Sequence, residues 1–386
     1  MNIIELESRF TSGVYPKRRL AIVRGQGAHL WDEQGREYID CAAGIGVANV
    51  GHCHPRVVAA LTQQAQTLIT CPEIFYNNQR AELERRLIEL APQGLDRVFL
   101  CNSGTEAMET ALKLARLATK RPNFVACMRG FHGRTMGALS ATYKKEYREP
   151  FMPLLDGFSH VPFENLEALE QAVDERTAGV FIEVVQGEGG VRPASSQYLR
   201  GVEQLCRQRG TMLIVDEVQT GFGRTGKLFA VEHSGITPDF LCVAKALGGG
   251  VPIGAALFNS QKTGEIPKGV HGSTFGGNPL AAAAACAALD VIIGEDLSRR
   301  AQELGEYFMN QLRAIQSPLI REVRGLGLMV GIELKEKVQP YLEALMEKGV
   351  LALPAGPNVL RLLPPLVISK EDLDTVVRRL GEVLTD

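Results

Sequence analysis

The amino-acid sequence predicts an α/β fold, in which a mostly parallel sheet is covered by helices on both faces and a smaller α+β unit lies beside it. Two observations carry this prediction. The middle of the chain alternates short β-rich runs with helical periods, a pattern typical of parallel strands joined by helical crossovers. The length of 386 residues exceeds what a single hydrophobic core usually holds, so a second unit is expected.

Strands of the main sheet are predicted where apolar, β-branched residues cluster between turns, and helices where apolar residues recur every three to four positions. The predicted strands of this middle part are 97–101, 123–128, 179–185, 212–215 and 240–244. The predicted helices between them include 106–118 and 197–208. This order places helices between parallel strands.

The two ends of the chain have a different pattern. Turn residues separate short extended runs in the segment 20–40, which predicts a small sheet beside the main one. From Pro279 the chain is predicted to be mainly helical, with strands at 327–334, 350–353 and 359–362 and a closing helix from Lys370. We therefore expect an N-terminal segment 1–45 that belongs to the small domain, a large domain 46–278 and a C-terminal small domain 279–386.

Charge and composition exclude several classes of protein. Lys and Arg (42) nearly balance Asp and Glu (44), which gives no electrostatic case for nucleic acid or a membrane as partner. The most apolar stretch, 279–293, is shorter than the ~20 residues of a membrane span and contains Asp290. The eight cysteines are scattered singly, and the beginning lacks the pattern of an export signal. We expect a cytoplasmic protein with reduced thiols and no metal site.

Ligands of parallel sheets bind beyond the carboxyl ends of the strands, and the first candidate site lies there. Cys101-Asn-Ser-Gly-Thr-Glu follows a predicted strand and opens a helix. The free amides and the positive end of the helix dipole make Gly104 and Thr105 a candidate anion site. An ordinary helix cap at Ser103 or Thr105 explains the same residues equally well.

Acidic residues follow the next candidate strand, in Asp216-Glu-Val-Gln219. An acid at this edge can pair with a protonated ring nitrogen and keep that ring an electron sink, and Asp216 is the candidate. Glu217 belongs to the same segment, Val218 would lie against the ring, and Gln219 would donate to a phenolic oxygen. Taken alone, an Asp that caps the following turn is the commoner explanation.

A lysine follows the strand 240–244, in Val243-Ala-Lys245-Ala-Leu-Gly-Gly-Gly. Most lysines are surface residues without a special role. Burial is costly for a charged lysine, however, and formation of an imine removes that charge while using the amine as a nucleophile. The context favours a Schiff base on Lys245.

Further candidates are an aromatic ring and arginines near the same edge. In Phe131-His-Gly-Arg134, Phe131 would stack on a planar cofactor and Arg134 would bind a carboxylate of the substrate. The hydroxyls of Ser273 and Thr274 offer a second phosphate contact, although such turns are common. Arg361 lies inside a predicted apolar strand and requires a carboxylate partner, from the substrate or from the protein.

Jointly these motifs resemble the class III pyridoxal-phosphate aminotransferases, and more closely the acetylornithine aminotransferase group. The likeness extends over nearly the whole chain, from Arg24-Gly-Gln-Gly to Pro364-Pro365. The motifs are Ser103-Gly-Thr-Glu-Ala, Phe131-His-Gly-Arg-Thr, Gln186-Gly-Glu-Gly-Gly, Asp216-Glu-Val-Gln-Thr-Gly-Phe-Gly-Arg-Thr-Gly, Lys245 and Ser273-Thr-Phe-Gly-Gly-Asn-Pro. Met108 departs from the Asn usual in the family, and Val184-Val185 from its Pro and aliphatic residue.

The resemblance implies a seven-stranded fold type I enzyme that binds pyridoxal 5'-phosphate as a homodimer. It implies that Gly104 and Thr105 hold the phosphate, and that Thr274 reaches the phosphate of the other subunit. Arg134, Ser273, Arg361, Glu188 and Tyr15 would bind substrate. Pairing of Glu188 with Arg361 would switch the site between an ω-amine donor and glutamate.

The implied reaction moves the terminal amino group of N2-acetyl-L-ornithine to 2-oxoglutarate, as in arginine biosynthesis. The main alternative is an aminotransferase of lysine biosynthesis whose substrate is attached to an acidic carrier protein. The basic run Lys17-Arg18-Arg19 would suit such a partner, although a solvated turn explains it as well. Another ω-aminotransferase, for ornithine, 4-aminobutyrate or succinylornithine, and a racemase or mutase that uses the same cofactor remain open.

Overall fold

The main sheet has seven strands, and six of them run parallel. The computed structural model describes residues 2–385. In order across the sheet, the strands are Arg97–Cys101, Gly254–Phe258, Phe240–Val243, Met212–Asp216, Thr177–Glu183, Asn123–Cys127 and Phe158–Val161. Only Gly254–Phe258 is antiparallel to its two neighbours. The predicted α/β fold with a mostly parallel sheet is confirmed.

Helices cover the sheet because their apolar faces are rich in small residues that allow close approach. The helix Gly104–Thr119 buries Ala107, Ala111 and Ala115 against the strands. The helix Pro279–Gly294, which has a run of alanines, is almost entirely buried. Proline at its first position and Asn278 as its N-cap set where this helix begins.

The remaining elements surround these layers. The α-helices are Ile3–Phe10, Ala43–Gly46, Pro55–Thr67, Asn78–Leu90, Gly104–Thr119, Met136–Ala141, Lys145–Arg148, Leu166–Ala172, Ser196–Arg209, Ser260–Thr263, Pro279–Gly294, Leu297–Arg313, Gln339–Glu347 and Lys370–Thr385. Short 3₁₀ helices are Glu149–Phe151, Ala230–His233 and Lys245–Gly248. None of the helices within residues 2–385 combines the length and the apolar character that crossing a bilayer requires.

Two four-stranded sheets and one two-stranded sheet join distant parts of the chain. The first contains Ile22–Gln26, His29–Asp32, Glu37–Asp40 and Val350–Leu351, and the second Ile320–Leu326, Met329–Leu334, Val359–Leu362 and Leu353–Pro354. The two-stranded sheet pairs Val185–Gln186 with Arg192–Pro193. Parallel pairing of Val350–Leu351 with Ile39 and Asp40 connects the N-terminal sheet with the C-terminal segment. The predicted small sheet within 20–40 is thus confirmed, and the domain boundaries stay predictions.

The predicted strands and helices exist, and their boundaries differ by a few residues. The predicted strand 179–185 is wrong at its end, because the chain leaves the main sheet after Glu183 and Val185 pairs in the two-stranded sheet. Strands Phe158–Val161 and Gly254–Phe258 were not predicted. The first is an edge strand with only one partner, and the second is antiparallel and is not preceded by an α-helical crossover.

A buried arginine connects the main sheet region with the C-terminal part of the chain. Arg224 is fully buried, and its Nη1 donates to the carbonyls of Leu328 (2.9 Å) and Pro364 (2.5 Å). Its Nη2 donates to Oδ1 of Asn49 at 2.6 Å. Burial lowers the pKa of Arg224 to about 9. Three buried acceptors therefore depend on one side chain.

We expect Arg224→Leu to lower the free energy of unfolding by about 3 kcal/mol, because it leaves these buried acceptors without a donor. Urea denaturation followed by circular dichroism measures the change. The matched control is Arg207→Leu, which removes an exposed i,i+4 ion pair with Glu203 and should cost less than about 0.5 kcal/mol. Equal losses in the two variants would contradict this role of Arg224.

Candidate functional site

A cavity of about 580 Å³ opens at the carboxyl edge of the main sheet. Its walls come mainly from segments that follow five strands of the sheet, and the exposed N-terminal Tyr15 also borders it. The structure brings together most of the predicted site residues here: Tyr15, Gly104, Thr105, Phe131, Arg134, Glu188, Asp216, Val218, Gln219 and Lys245. These residues are up to 230 positions apart in the chain.

Lys245 lies where the strand Phe240–Val243 ends and a 3₁₀ helix begins. Its φ of 44° lies in the left-handed region, which is strained for a residue with a side chain and is typical of functional sites. Burial lowers the pKa of Lys245, and the negative charge of Glu188 opposes that effect. The chain therefore places an amine of increased nucleophilicity on the cavity wall.

Asp216 ends the central strand Met212–Asp216, and its carboxylate is 6% exposed. Oδ1 accepts from the backbone amide of Val218 at 3.0 Å, and Oδ2 accepts from Nδ1 of His132 at 2.9 Å. These contacts stabilise a buried anion and fix its orientation. The predicted turn contact exists, and Asp216 borders the cavity as well.

Gly104 and Thr105 form the first turn of the helix Gly104–Thr119, and both border the cavity. Ser103 is the N-cap, and its hydroxyl oxygen accepts from the amide of Glu106 at 3.4 Å. A β-carbon on Gly104 would lie 2.6 Å from Cγ1 of Val218, so only glycine fits there. Ser103 thus caps the helix, while the backbone amides of Gly104 and Thr105 are left open toward the cavity.

Phe131 and Arg134 lie on one wall of the cavity, after the strand Asn123–Cys127. The guanidinium of Arg134 lies over the ring of Tyr147, 3.7 Å from its centroid, and 5.5 Å from that of Phe131. Cation–π contacts of this kind hold an exposed arginine in place. Arg134 therefore offers an oriented cation at the cavity.

Arg361 is 2% exposed and forms the predicted buried ion pair. Its Nη1 lies 2.6 Å from Oε1 of Glu188 and 3.1 Å from Oε1 of Gln219. Glu188 and Gln219 border the cavity, whereas Arg361 lies directly behind them. The oxygen of Gln219 is engaged by Arg361, which leaves its amide NH₂ group as the donor toward the cavity.

Besides Arg361, three predicted site residues do not border this cavity. The carboxylate of Glu217 is fully buried and accepts from the amides of Ala230 (2.7 Å) and Val231 (2.8 Å), because adjacent residues at a strand end face opposite sides. Ser273 accepts from the side-chain amide of Asn102 at 3.2 Å, next to the cavity. Thr274 is exposed.

Two buried titratable residues of the site were not predicted. His132 and Glu183 both border the cavity. Burial raises the pKa of Glu183 to about 8, against the amides of Phe131 (3.2 Å) and Gly187 (3.3 Å) that donate to it. Part of the signal was present in the sequence, since His132 follows Phe131 directly, but the predicted strand 179–185 placed Glu183 inside the strand and not at its end.

The residues that differ from those usual in the family lie mainly in the core. Met108 is 1% exposed within the cluster beneath the helix Gly104–Thr119, and Val184 is buried. Only Val185 borders the cavity.

Two histidines of the segment Gly51-His-Cys-His54 bond to protein groups outside the cavity. His52 bonds Asp40 at 2.7 Å, and the ring of His54 accepts from the amide of Arg56 at 3.3 Å.

The residues present fit pyridoxal phosphate. The tight approach of Gly104 to Val218 leaves room only for backbone amides at the helix N-terminus, which suits a phosphate. Burial and nearby charges account for the lowered pKa of Lys245, and no hydrogen bond within residues 2–385 contributes to it. The amine is therefore available to react with an aldehyde. A second buried group, Asp216, supplies the carboxylate that a ring nitrogen requires.

Sequence comparison assigns the family. The family described as Aminotransferase class-III matches residues 12–384. The LysW-aminoadipate semialdehyde transaminase of Deinococcus radiodurans is 53% identical, over 98% of this chain and 89% of that protein. The acetylornithine aminotransferase of Methanopyrus kandleri is 46% identical, over 100% of this chain and 99% of that protein.

Solved structures agree in fold. The ornithine aminotransferase from Toxoplasma gondii ME49 has a TM-score of 0.95 and 37% identity, covering 99% of this chain and 94% of that chain. The acetylornithine aminotransferase from Elizabethkingia anophelis has a TM-score of 0.88 and 36% identity, covering 99% and 97%. Another structure of the Toxoplasma enzyme is described with PLP at its active site. The chain belongs to the class III aminotransferases, which use pyridoxal phosphate.

Proposed function

We propose that this enzyme transfers the terminal amino group of N2-acetyl-L-ornithine to 2-oxoglutarate, giving N-acetyl-L-glutamate 5-semialdehyde and L-glutamate. The observation that carries the proposal is the buried pair of Arg361 and Glu188 beside Lys245, with Arg134 also at the cavity. One arginine is neutralised and one is available. A donor with a single carboxylate and an acceptor with two carboxylates can therefore use the same site in turn.

Pyridoxal phosphate, when bound, supplies an electron sink for the carbon that carries the reacting amine. Lys245 would hold the cofactor aldehyde. Once the substrate amine has replaced Lys245 there, its Nζ would take a proton from the carbon that carries the amine and deliver it to the former aldehyde carbon of the cofactor. Asp216 would pair with the protonated ring nitrogen, the amides of Gly104 and Thr105 would bind the phosphate, and Phe131 and Val218 would contact the ring.

Glu188 and Arg361 select between the two substrates. With Glu188 on Arg361, the terminal methylene chain and amine of acetylornithine meet no free cation, and Arg134 binds its α-carboxylate. When glutamate or 2-oxoglutarate enters, Glu188 leaves and Arg361 binds the substrate carboxylate. Glu188 is 29% exposed, so its carboxylate has solvent to move toward.

A second candidate function is amino transfer to or from a lysine precursor attached to an acidic carrier protein. A second cavity of about 590 Å³ shares Phe131 and Glu188 with the first, and the exposed Arg129, Lys144 and Lys145 border it. The relative from Deinococcus radiodurans is named a LysW-aminoadipate semialdehyde transaminase, which supports this second candidate. The basic run Lys17-Arg18-Arg19 is less suited to bind an acidic carrier protein. Lys17 pairs with Glu7, and Arg18 donates to the carbonyl of Ala352.

The enzyme is proposed to act as a homodimer in the cytoplasm. Large apolar side chains are exposed at Ile74 (82%), Phe75 (62%) and Tyr76 (106%), and at Phe275 (62%) next to Thr274. Arg80 connects these two segments through the carbonyls of Phe75 and Gly277. An exposed apolar surface of this kind suits a second copy of the chain. All eight cysteines are free thiols, as expected in a reducing compartment.

We expect N2-acetylornithine to change the absorbance of the bound cofactor at lower concentration than ornithine, 4-aminobutyrate, succinylornithine or a carrier-linked lysine. A spectral titration of the holoenzyme without keto acid ranks these donors. Borohydride reduction followed by peptide mapping should find the cofactor on Lys245. A preference for the carrier-linked donor would establish the second candidate. Steady turnover of a donor without 2-oxoglutarate would indicate a racemase or mutase and contradict transamination.

The variant Glu188→Gln should change substrate preference, because it leaves Arg361 as a free cation in both half-reactions. We expect kcat/KM for glutamate to rise and that for acetylornithine to fall, each by about tenfold. Single-turnover rates of the two half-reactions measure this. The control Glu146→Gln changes an exposed carboxylate at the second cavity and should leave both rates within about twofold. Parallel changes in the two half-reactions would contradict the switch.

Mixing two inactive variants tests the dimer. If Thr274 completes the site of the other subunit, a dimer of Lys245→Ala and Thr274→Ala chains contains one complete site. Random reassembly should recover about one quarter of wild-type activity, since half of the dimers are hybrids with one site of two. Activity is measured at limiting pyridoxal phosphate, with each variant alone as control. No recovery above the separate variants would show that each site lies within one chain.

A further inference from the structure

His132 is a buried side chain that hydrogen-bonds the carboxylate of Asp216. Its side chain is 1% exposed, and Nδ1 lies 2.9 Å from Oδ2 of Asp216, a residue 84 positions later in the chain. The contact is the only one that Oδ2 makes within residues 2–385, since the Val218 amide binds Oδ1. A change at His132 therefore acts on one defined oxygen.

The ring of His132 is held in one orientation by its surroundings. Its backbone amide donates to Oγ1 of Thr142 at 2.9 Å, and the ring packs on Phe181 with 5.6 Å between centroids. The next residue, Gly133, has φ of 138°, and a β-carbon there would lie 2.3 Å from Oγ1 of Thr105. The loop that carries His132 is therefore closely packed on both sides of the residue.

The second nitrogen of the ring faces another carboxylate. Nε2 of His132 has no hydrogen-bond partner within the described part of the chain. A β-carbon on Gly130 would lie 3.1 Å from this nitrogen and 3.5 Å from Oε2 of Glu183, so both atoms border the same small space. Burial opposes a charge on His132, yet the hydrogen bond to Asp216 and the charges of Asp216 and Glu183 raise its pKa.

We propose that His132 is a positioning residue: it donates from Nδ1 to Asp216 and thereby fixes the carboxylate that would face the ring nitrogen of the cofactor, while Glu183 borders the imidazole on its other side. His160 provides a comparison, because its ring bonds to the backbone carbonyl of Ala141 at 3.0 Å and not to Asp216. The inference rests on the proposed role of Asp216 toward the cofactor.

The first experiment compares His132→Leu and His132→Phe, which remove the donor, with His132→Asn, which places an amide nitrogen near the position of Nδ1. Holoenzyme is diluted, and release of pyridoxal phosphate is followed by absorbance. Without the donor, release should be about 10- to 100-fold faster, as for a lost hydrogen bond to a charged group. His132→Asn should restore release to within about threefold of wild type. His160→Gln is the matched control and should not change release.

The circular dichroism band of the bound cofactor provides a second readout, because it reports the orientation of the ring. It should change in the Leu and Phe variants and be restored by Asn, whereas a loss of packing alone would lower the thermal midpoint of all three. Unchanged release and an unchanged band in both donorless variants would overturn the proposal. If one of them fails to fold, the other still decides.

A double-mutant cycle separates this inference from the proposed function. In an Asp216→Asn background, His132→Leu should change cofactor release by less than about twofold, because the carboxylate that it positions is gone. Additive effects would overturn the positioning role. If Asp216→Asn alone leaves release unchanged, the proposed role of Asp216 fails. If Asp216→Asn accelerates release and His132→Leu does not, only the inference about His132 fails.

Discussion

The carboxylate of Asp216, buried at the end of the central strand, sets the arrangement of the whole site. A buried anion without partners costs several kcal/mol, so the fold must supply donors on every side of it that the ligand does not occupy. The Val218 amide and the His132 ring do this from segments that follow two different strands. The strand Met212–Asp216 lies between two parallel neighbours, which hold its end in register.

Parallel strands explain why residues so distant in the chain meet. Each strand ends at the same edge, so the segments after Cys101, Cys127, Asp216 and Val243 all reach the cavity. The helix Gly104–Thr119 begins there with free amides, and Lys245 follows the strand beside that of Asp216. The cations Arg134 and Lys245 and the anions Glu188 and Asp216 thereby line one cavity.

Local patterns in the sequence were sufficient for five of the seven strands of the main sheet and for the residues that follow them. The predicted strand ends at 101, 215 and 244 lie within one residue of the observed ends, because β-rich runs stop at small or polar residues. The partner of Asp216 could not be predicted, since the distance from His132 is a tertiary contact that no local period encodes. Glu217 shows the same limit: one position beyond Asp216, its side chain faces the amides of Ala230 and Val231 instead of the cavity.

The two arginines of the site differ in their surroundings, and the proposed choice of substrate rests on this difference. Arg134 is exposed and is oriented by the ring of Tyr147, so it can bind a carboxylate without first losing a partner. Arg361 is buried, and an unpaired charge there would be strongly destabilising, so in the proposed reaction Glu188 accompanies it until a substrate carboxylate arrives. Glu188 also borders the second, more basic cavity. The residue proposed to move is therefore shared by both cavities, and a substrate that extends from one into the other would act on the same carboxylate.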